Sequence, residues 1–448
     1  MRGKHLLLSL ESRGWFVFSG LFLWAMLDFG YRIYVSPVHA YSGFGYEPAW
    51  VKYFEGLLLF VLLLILAPRC LARPSDYFMN FLLFGLMAPL LIFYGLADQS
   101  REHLYIVLLG YVIIDAIRRG ALIRFPLLKE GPFIAYVGLG VGAGLVTIWL
   151  IVSGGVAYLN LDLSEVYEYR RDVGAVINQG FMGYANTWAY KIFGPALLAI
   201  ALWKRVYWLA ALVFALHVFW FGVSAHKSVL FFPFLVLFLW VWFRKTRALS
   251  VVPIAMSGVV VATLLLYVLF DSGYPASLFV RRVFFVVADN TFDYYSFFSV
   301  NQHVYWSNSI LSSLVEYPYH IGYPELIGEA RGTESHVNNT FLSTGFMHAG
   351  VLGIIFYSVL AGFLFKLIDS VSAQGIPVWV AVAVLIVPSR SLLLSADLPT
   401  ALLTHGIGVG FLSLFLLRSK RTEIETGVLV NNRHGARMLC NFKRKASC

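Results

Sequence analysis

The chain has 448 residues, of which 59% are hydrophobic, 17% aromatic and only 13% charged, and its mean hydropathy is +0.74. That composition excludes an ordinary soluble domain and confines chemistry to the few polar segments. A formal net charge of +10 would point to nucleic acid in a soluble protein, but here Lys and Arg fall in short loops between apolar runs, so the basic balance reports membrane topology.

About twelve apolar stretches follow one another, near 14–35, 53–68, 77–97, 103–117, 132–153, 187–203, 205–222, 228–243, 249–270, 339–366, 376–395 and 399–418. Crossing a bilayer takes roughly 20 residues of helix, and a spanning segment must satisfy its own backbone polar groups. The predicted fold is therefore all-α, a polytopic integral membrane protein of about twelve helices. Arg2, Lys4, Arg13, Arg69, Arg73, Arg118, Arg119, Arg124, Lys129, Lys204, Arg205, Arg244, Lys245, Arg247, Lys366 and Arg418 mark the cytoplasmic flanks. Both termini then face the cytoplasm, and the loops at 154–186 and 271–338 face the other side. The expected organisation is nine helices in 1–270, a large polar loop at 271–338, three helices in 339–418 and a basic cytoplasmic tail at 419–448. Cys70, Cys440 and Cys448 all fall on the cytoplasmic side, so no disulfide framework is implied.

The chain has no nucleotide-binding loop, no His-Glu-x-x-His, no CxxC pair and no Asp-x-Asp of the kind that holds a metal on a nucleotide sugar. Gly138, Gly140, Gly142 and Gly144 lie inside an apolar run with no strand before them, so they read as close helix packing. The outer loops break the charge rule with Arg170-Arg171 in the first and Arg281-Arg282 and Arg331 in the second. A guanidinium fork fits phosphate oxygens bidentately, so paired arginines beside a membrane suit a lipid-linked pyrophosphate. Pairing with Glu165, Glu168, Asp172 or Asp289 is the plainer reading for any one of them. Lys227, after His226 at the mouth of a span, is a further phosphate ligand or a snorkelling lysine.

His336 precedes the tenth span and can accept a proton near neutral pH, with Glu334, Asp289 and Asp293 as competing bases. Asn338, Asn339 and Thr340 can cap that span. His348 falls inside the membrane and calls for a helix partner, and Asp397 lies near Arg390, where the two can pair. Loop aromatics such as Tyr184 can stack on sugar faces or form interfacial belts.

This arrangement resembles the bacterial O-antigen polymerases of the Wzy type. The resemblance covers most of the chain in topology. Its local matches are Glu168-Tyr-Arg-Arg followed by Asn178-Gln-Gly and Gly183-Tyr184, then His226-Lys227-Ser228, Arg281-Arg282-Val-Phe, and His336-Val-Asn-Asn-Thr with Gly350-Val-Leu-Gly353. The last is similar to a signature shared with the O-antigen ligases. The chain departs from the pattern in two places. Arg171 is followed by eleven residues before Gly183, and Ala225-His226-Lys227-Ser228 stands where the ligases carry Ser-Arg-Gly, which keeps charge but loses bidentate geometry.

The resemblance implies a GT-C-like glycosyltransferase of the bacterial inner membrane with two periplasmic loops and no cofactor or metal. A growing glycan would pass from undecaprenyl pyrophosphate to a lipid-linked repeat unit at the periplasmic face, with a chain-length regulator as protein partner. Arg170, Arg171, Lys227, Arg281 and Arg282 would hold pyrophosphate. His336 or Glu334 would act as base, while Arg331, Asn339 and Tyr184 would contact the remaining substrate. An O-antigen ligase and a lipid-linked oligosaccharide flippase are the competing readings.

Overall fold

The structure, a computed structural model, describes residues 9–162 and 166–419, the side chains of 166–171 excepted. The predicted tail from 420 onward lies outside the described residues. Every named element is a helix, and β pairing among the described residues amounts to isolated bridges joining Glu47 to Ala97 and Cys70 to Ala248.

In chain order, α1 is Arg13–Ser42, α2 Trp50–Leu66, α3 Pro74–Leu96, α4 Arg101–Arg118 and α5 Gly131–Val152. There follow α6 Val166–Ile177, α7 Met182–Trp188, α8 Gly194–Trp203, α9 Tyr207–Ser224, α10 Lys227–Phe243 and α11 Val251–Phe270. The polar loop contributes α12 Val286–Phe298 and α13 Tyr323–Ala330, and the chain returns through α14 Phe341–Ser372, α15 Val378–Leu394 and α16 Ile407–Leu417. Among the described residues, six of these (α1, α3, α5, α9, α11 and α14) are long and apolar enough to cross a membrane, and α10, α15 and α16 are shorter apolar helices. The chain is thus an all-helical membrane protein. The expected run at 399–418 is interrupted: Leu398–Leu402 and Ile407–Leu417 are separate helices, divided at Gly406, whose φ of 85° is a left-handed value.

Prolines inside apolar runs shape the bundle. Pro37, Pro89 and Pro195 each lie one residue beyond a π turn, at Tyr31–Val35, Leu83–Met87 and Ala189–Phe193 respectively. Proline has no N–H and its ring collides with the carbonyl four residues back. The residue before each proline closes a wider ring instead: Ser36 donates to Tyr31, Ala88 to Leu83 and Gly194 to Ala189. The helix therefore swells locally rather than stopping.

With 94% of its most apolar window buried, α3 is the central helix, packed against α2, α4, α14 and α15. Its first turn is locked at one end of the molecule. Arg118 bridges Asp76 at 2.8 Å and Asp115 at 2.6 Å and donates to Ser75, which in turn donates to Asp369 at 2.7 Å. The basic loops meet at this same end. Leu71 donates to the Arg247 carbonyl, Leu249 to that of Arg69 and Arg418 to that of Pro126. The charge asymmetry read from the sequence is thus a spatial asymmetry of the fold.

One helix departs from expectation. The run expected near 339–366 is folded, not straight, because Ala349 (φ −155°, ψ 33°) and Gly350 (φ 59°, ψ −139°) leave helical geometry. A short, wholly buried arm, Phe341–His348, packs back on the long arm so closely that a Cβ on Gly345 would lie 2.9 Å from the Gly353 carbonyl and one on Gly353 would overlap the Gly345 carbonyl. Glycine is required at 350 by backbone conformation and at 345 and 353 by contact. Gly353→Ala should lower the unfolding temperature of the detergent-purified protein and its membrane level, whereas Leu352→Ala, at a position 74% exposed, should change neither. Equal behaviour of the two variants would contradict the elbow.

Candidate functional site

A cavity of about 570 Å³ opens where α3, α10, α15, the π turn at 189–193 and the segment after α15 converge. Tyr323 and Asn338 of the large loop line its mouth with Ser228, and Phe81, Leu235 and Ile386 line its depth. Both α10 and α15 contain an internal proline, Pro233 and Pro388. Each proline deprives a carbonyl of its helical donor, which favours a wall that bends and meets water.

The cavity holds an unusual concentration of charge for an apolar body. Lys191 projects from the π turn, and its Nζ lies 2.7 Å from His405 Nδ1. With lysine as the ammonium, Nδ1 accepts and the imidazole proton resides on Nε2, leaving a second donor beside the first. Arg390, two residues beyond Pro388, lines the same space and lies close enough to Lys191 for their charges to repel. Its guanidinium keeps accessible surface although protein surrounds most of it, as expected of a group facing a cavity. Among the described residues neither Lys191 nor Arg390 has a carboxylate within ion-pair distance, and Arg390 has no hydrogen-bond partner.

Among the described residues Asp397 is the one carboxylate in the lining. The expected pairing with Arg390 does not form. Asp397 instead accepts from Thr344 Oγ1 at 2.9 Å, from the Leu398 N–H at 2.9 Å and from His348 at 3.3 Å. His348 is fully buried, with the helix partner its position calls for.

Arg390, Asp397 and Asn338 line this cavity, whereas none of the residues expected to hold pyrophosphate, act as base or contact the remaining substrate is in its described lining. His336 is exposed at the rim, two residues from Asn338, with Nδ1 2.9 Å from Glu325 Oε1. Glu334 is exposed. Lys227 immediately precedes Ser228 at the mouth and has contacts of its own. Tyr184 stands beside Trp188, whose Nε1 donates to the Leu403 carbonyl at 2.8 Å, next to the turn that carries His405. Asn339 is buried and engaged in capping: its carbonyl accepts from the Thr340 N–H and its amide donates to Ser343 Oγ. Arg331 is clamped between Asp289, at 2.9 Å, and Asp293, so its charge is already matched.

Arg281 and Arg282 lie in a π-helical stretch, Ser277–Phe285, that packs on α1 next to Tyr34 and His39, away from the cavity lining. Burial, then the like charge of Arg282, pull the Arg281 guanidinium below its ordinary value. The side chains of Arg170 and Arg171 lie outside the described residues; their helix, α6, packs on α9.

No protein-family model, curated protein or solved structure matches the chain. The residues and their geometry therefore carry the functional argument.

Lys191 and His405 are the functional candidates that the sequence reading passed over. Their signal is present, since a lysine within the run 187–203 is a charge where lipid forbids one, and Gly194-Pro195 just after it marks a helix irregularity. The loop arginines drew attention because they break a topology rule; Lys191 breaks a stronger one.

The clamp around Arg331 has a measurable consequence. Burial pushes the Asp289 carboxyl up to about 6, against the opposing pull of Arg331. A raised carboxyl pKa means that the folded state holds the proton more tightly than the unfolded chain. The stabilisation is full below an unfolded value of about 4 and is lost as pH rises through the folded value. The unfolding midpoint of the purified protein should therefore carry a downward component between pH 4 and 6 that Asp289→Asn removes. Identical pH profiles for the two proteins would refute it.

Proposed function

We propose that this chain is a glycosyltransferase of the Wzy polymerase type, moving a growing glycan from undecaprenyl pyrophosphate to a lipid-linked repeat unit at the periplasmic face of a bacterial inner membrane. The reading takes the shorter helices as further spans, about twelve in all, with both termini cytoplasmic and a GT-C-like arrangement. The observation that carries it is that Lys191 and Arg390 line one cavity with, among the described residues, no carboxylate within ion-pair distance of either. Two uncompensated cations at such a depth are costly unless an anion joins them, and a lipid pyrophosphate enters from the side with its charge at the membrane surface.

The chemistry follows from charge development. As the sugar-to-pyrophosphate bond breaks, negative charge grows on the leaving group, and fixed cations stabilise it without reorganising at that moment. Arg390 offers a planar fork for two phosphate oxygens, Lys191 a compact charge, and Ser228, Ser395 and Thr400 supply hydroxyls along the same wall. In this reading Tyr323 and Asn338 flank the entrance through which the acceptor glycan reaches the donor. The energy of transfer resides in the donor, consistent with a chain that carries no nucleotide-binding motif.

Lys191→Ala and Arg390→Ala should each abolish long glycan at normal membrane levels, with turnover down by about 100-fold or more, and Arg390→Lys should recover part of it. Purified protein supplied with donor and acceptor lipids provides the readout. Wild-type chain length in both alanine variants would sink the cavity assignment, and lipid movement across vesicles without elongation would sink the transferase.

A further inference from the structure

The anion side of the cavity has an opposite pole. Asp397, 2% exposed, contributes the one lining carboxylate among the described residues, and three separate segments converge to hold it. The turn before Leu398 presents it, with its own Leu398 N–H on Oδ1. The short arm of α14 brings Thr344, which donates to Oδ1, and His348, which meets Oδ2. The loop at 304–306 fixes His348 in turn. The Trp306 backbone N–H donates to His348 Nδ1 at 3.0 Å, and the Trp306 indole stacks on the imidazole at 4.9 Å and 14°. Because Nδ1 accepts, the ring proton belongs on Nε2 and points at Asp397.

This support contains two backbone irregularities. Tyr305 (φ 47°) and Trp306 (φ 58°) are consecutive non-glycine residues in the left-handed region, and the Ala349–Gly350 elbow follows His348 directly. Both irregularities bear on His348: Tyr305 N–H donates to its carbonyl and Trp306 N–H to its ring. A buried pair serving only stability needs neither, and backbone strain that converges on one side chain is a mark of a functional position.

We propose that Asp397 is the proton acceptor of the transfer, with His348 its positioning residue and an acceptor-sugar hydroxyl its partner. The assignment rests on the transferase reading above. The acceptor O–H gives its proton to Asp397 as its oxygen bonds to the donor's anomeric carbon. The bond from that carbon to the pyrophosphate oxygen breaks, and the electron pair leaves with the pyrophosphate toward Lys191 and Arg390. Asp397 then returns the proton to water, ready for the next cycle. Carboxylate and cations line one cavity of about 570 Å³, so base and leaving-group site open onto a single volume. His336, exposed and paired with Glu325 at the rim, has no such fixed environment.

The test measures turnover and donor KM on purified protein in nanodiscs. Asp397→Asn, which keeps shape but removes the base, should lower kcat by about 100- to 10,000-fold with donor KM changed by less than about threefold. His348→Ala should fall less, and His348→Gln, which restores an N–H near the Nε2 position, should recover much of that loss, a pattern that a space-filling role would not give. Where Asp397→Asn does not accumulate, Thr344→Val removes a single donor from the carboxylate and should cost about tenfold in kcat. If Asp397→Asn or Thr344→Val turns over at the wild-type rate while Lys191→Ala and Arg390→Ala are inactive, the base assignment is overturned and the transferase stands. If none of the four changes turnover, both are overturned.

Discussion

A charge inside an apolar helical body must meet an opposite charge, a set of carbonyls or a ligand, and the structure sorts its cations by that rule. Arg118 meets Asp76 and Asp115. Arg331 meets Asp289 and Asp293. Arg418 donates to the carbonyls of Phe415 and Pro126 and lies over the Phe415 ring. Each is closed, and each ties helices or loops together where breaking one partner would strand the other, at about 3–5 kcal/mol for a buried pair. Among the described residues Lys191, Arg390 and Arg281 meet no carboxylate, and the first two share a cavity. The functional argument therefore comes less from which residues are charged than from which charges the fold leaves unanswered.

The same constraint acts on the backbone. Proline, which cannot complete a helical ladder, would be expensive in lipid unless the helix swelled or a wet space received the freed carbonyl. Around Pro37, Pro89 and Pro195 the chain swells, and in a regular helix the carbonyl left without a donor by Pro195 would be that of Lys191. Pro233 and Pro388 lie in the helices that wall the cavity. Sites of helix irregularity and sites of exposed charge thus coincide because both need the same thing, a local path to water.

Much of the architecture is legible in the sequence because it follows from composition. Long apolar runs can only be helices, and the loops carrying Arg69, Arg118, Arg247 and Arg418 gather at one end as their charge asymmetry requires. The elbow in α14 is not legible, since Gly345, Gly350 and Gly353 read equally well as the small-residue face of a straight helix. Only the carbonyl contact across the fold shows that they serve a reversal. The cavity lining is legible in part: Arg390 and Asp397 stand out as charges in apolar runs, as does the ring of His348 behind the lining, but their partners do not. Arg390 and Asp397 are close in sequence and yet unpaired, and Asp397 is turned instead toward Thr344, Leu398 and His348, which occupy three of a carboxylate's roughly four acceptor sites. Spacing suggests neighbours; hydrogen-bond capacity decides which of them pair.

The contrast between His336 and Asp397 turns on burial. A proton acceptor at an exposed rim competes with water for every proton and has no fixed line of attack, whatever its intrinsic basicity. His336 is in that position, its imidazole 65% exposed and its partner Glu325 41% exposed. Asp397 is enclosed, oriented by three donors on two oxygens, and faces a volume large enough for sugar rings. Those donors matter in another way, because they fix the orientation of the carboxylate on the cavity wall. The network around Trp306, His348 and Thr344 therefore holds Asp397 on the cavity that it shares with Lys191 and Arg390, with no ion pair to either among the described residues. Unlike charges left unpaired around one open volume are what the proposed group transfer between two bound glycans would use.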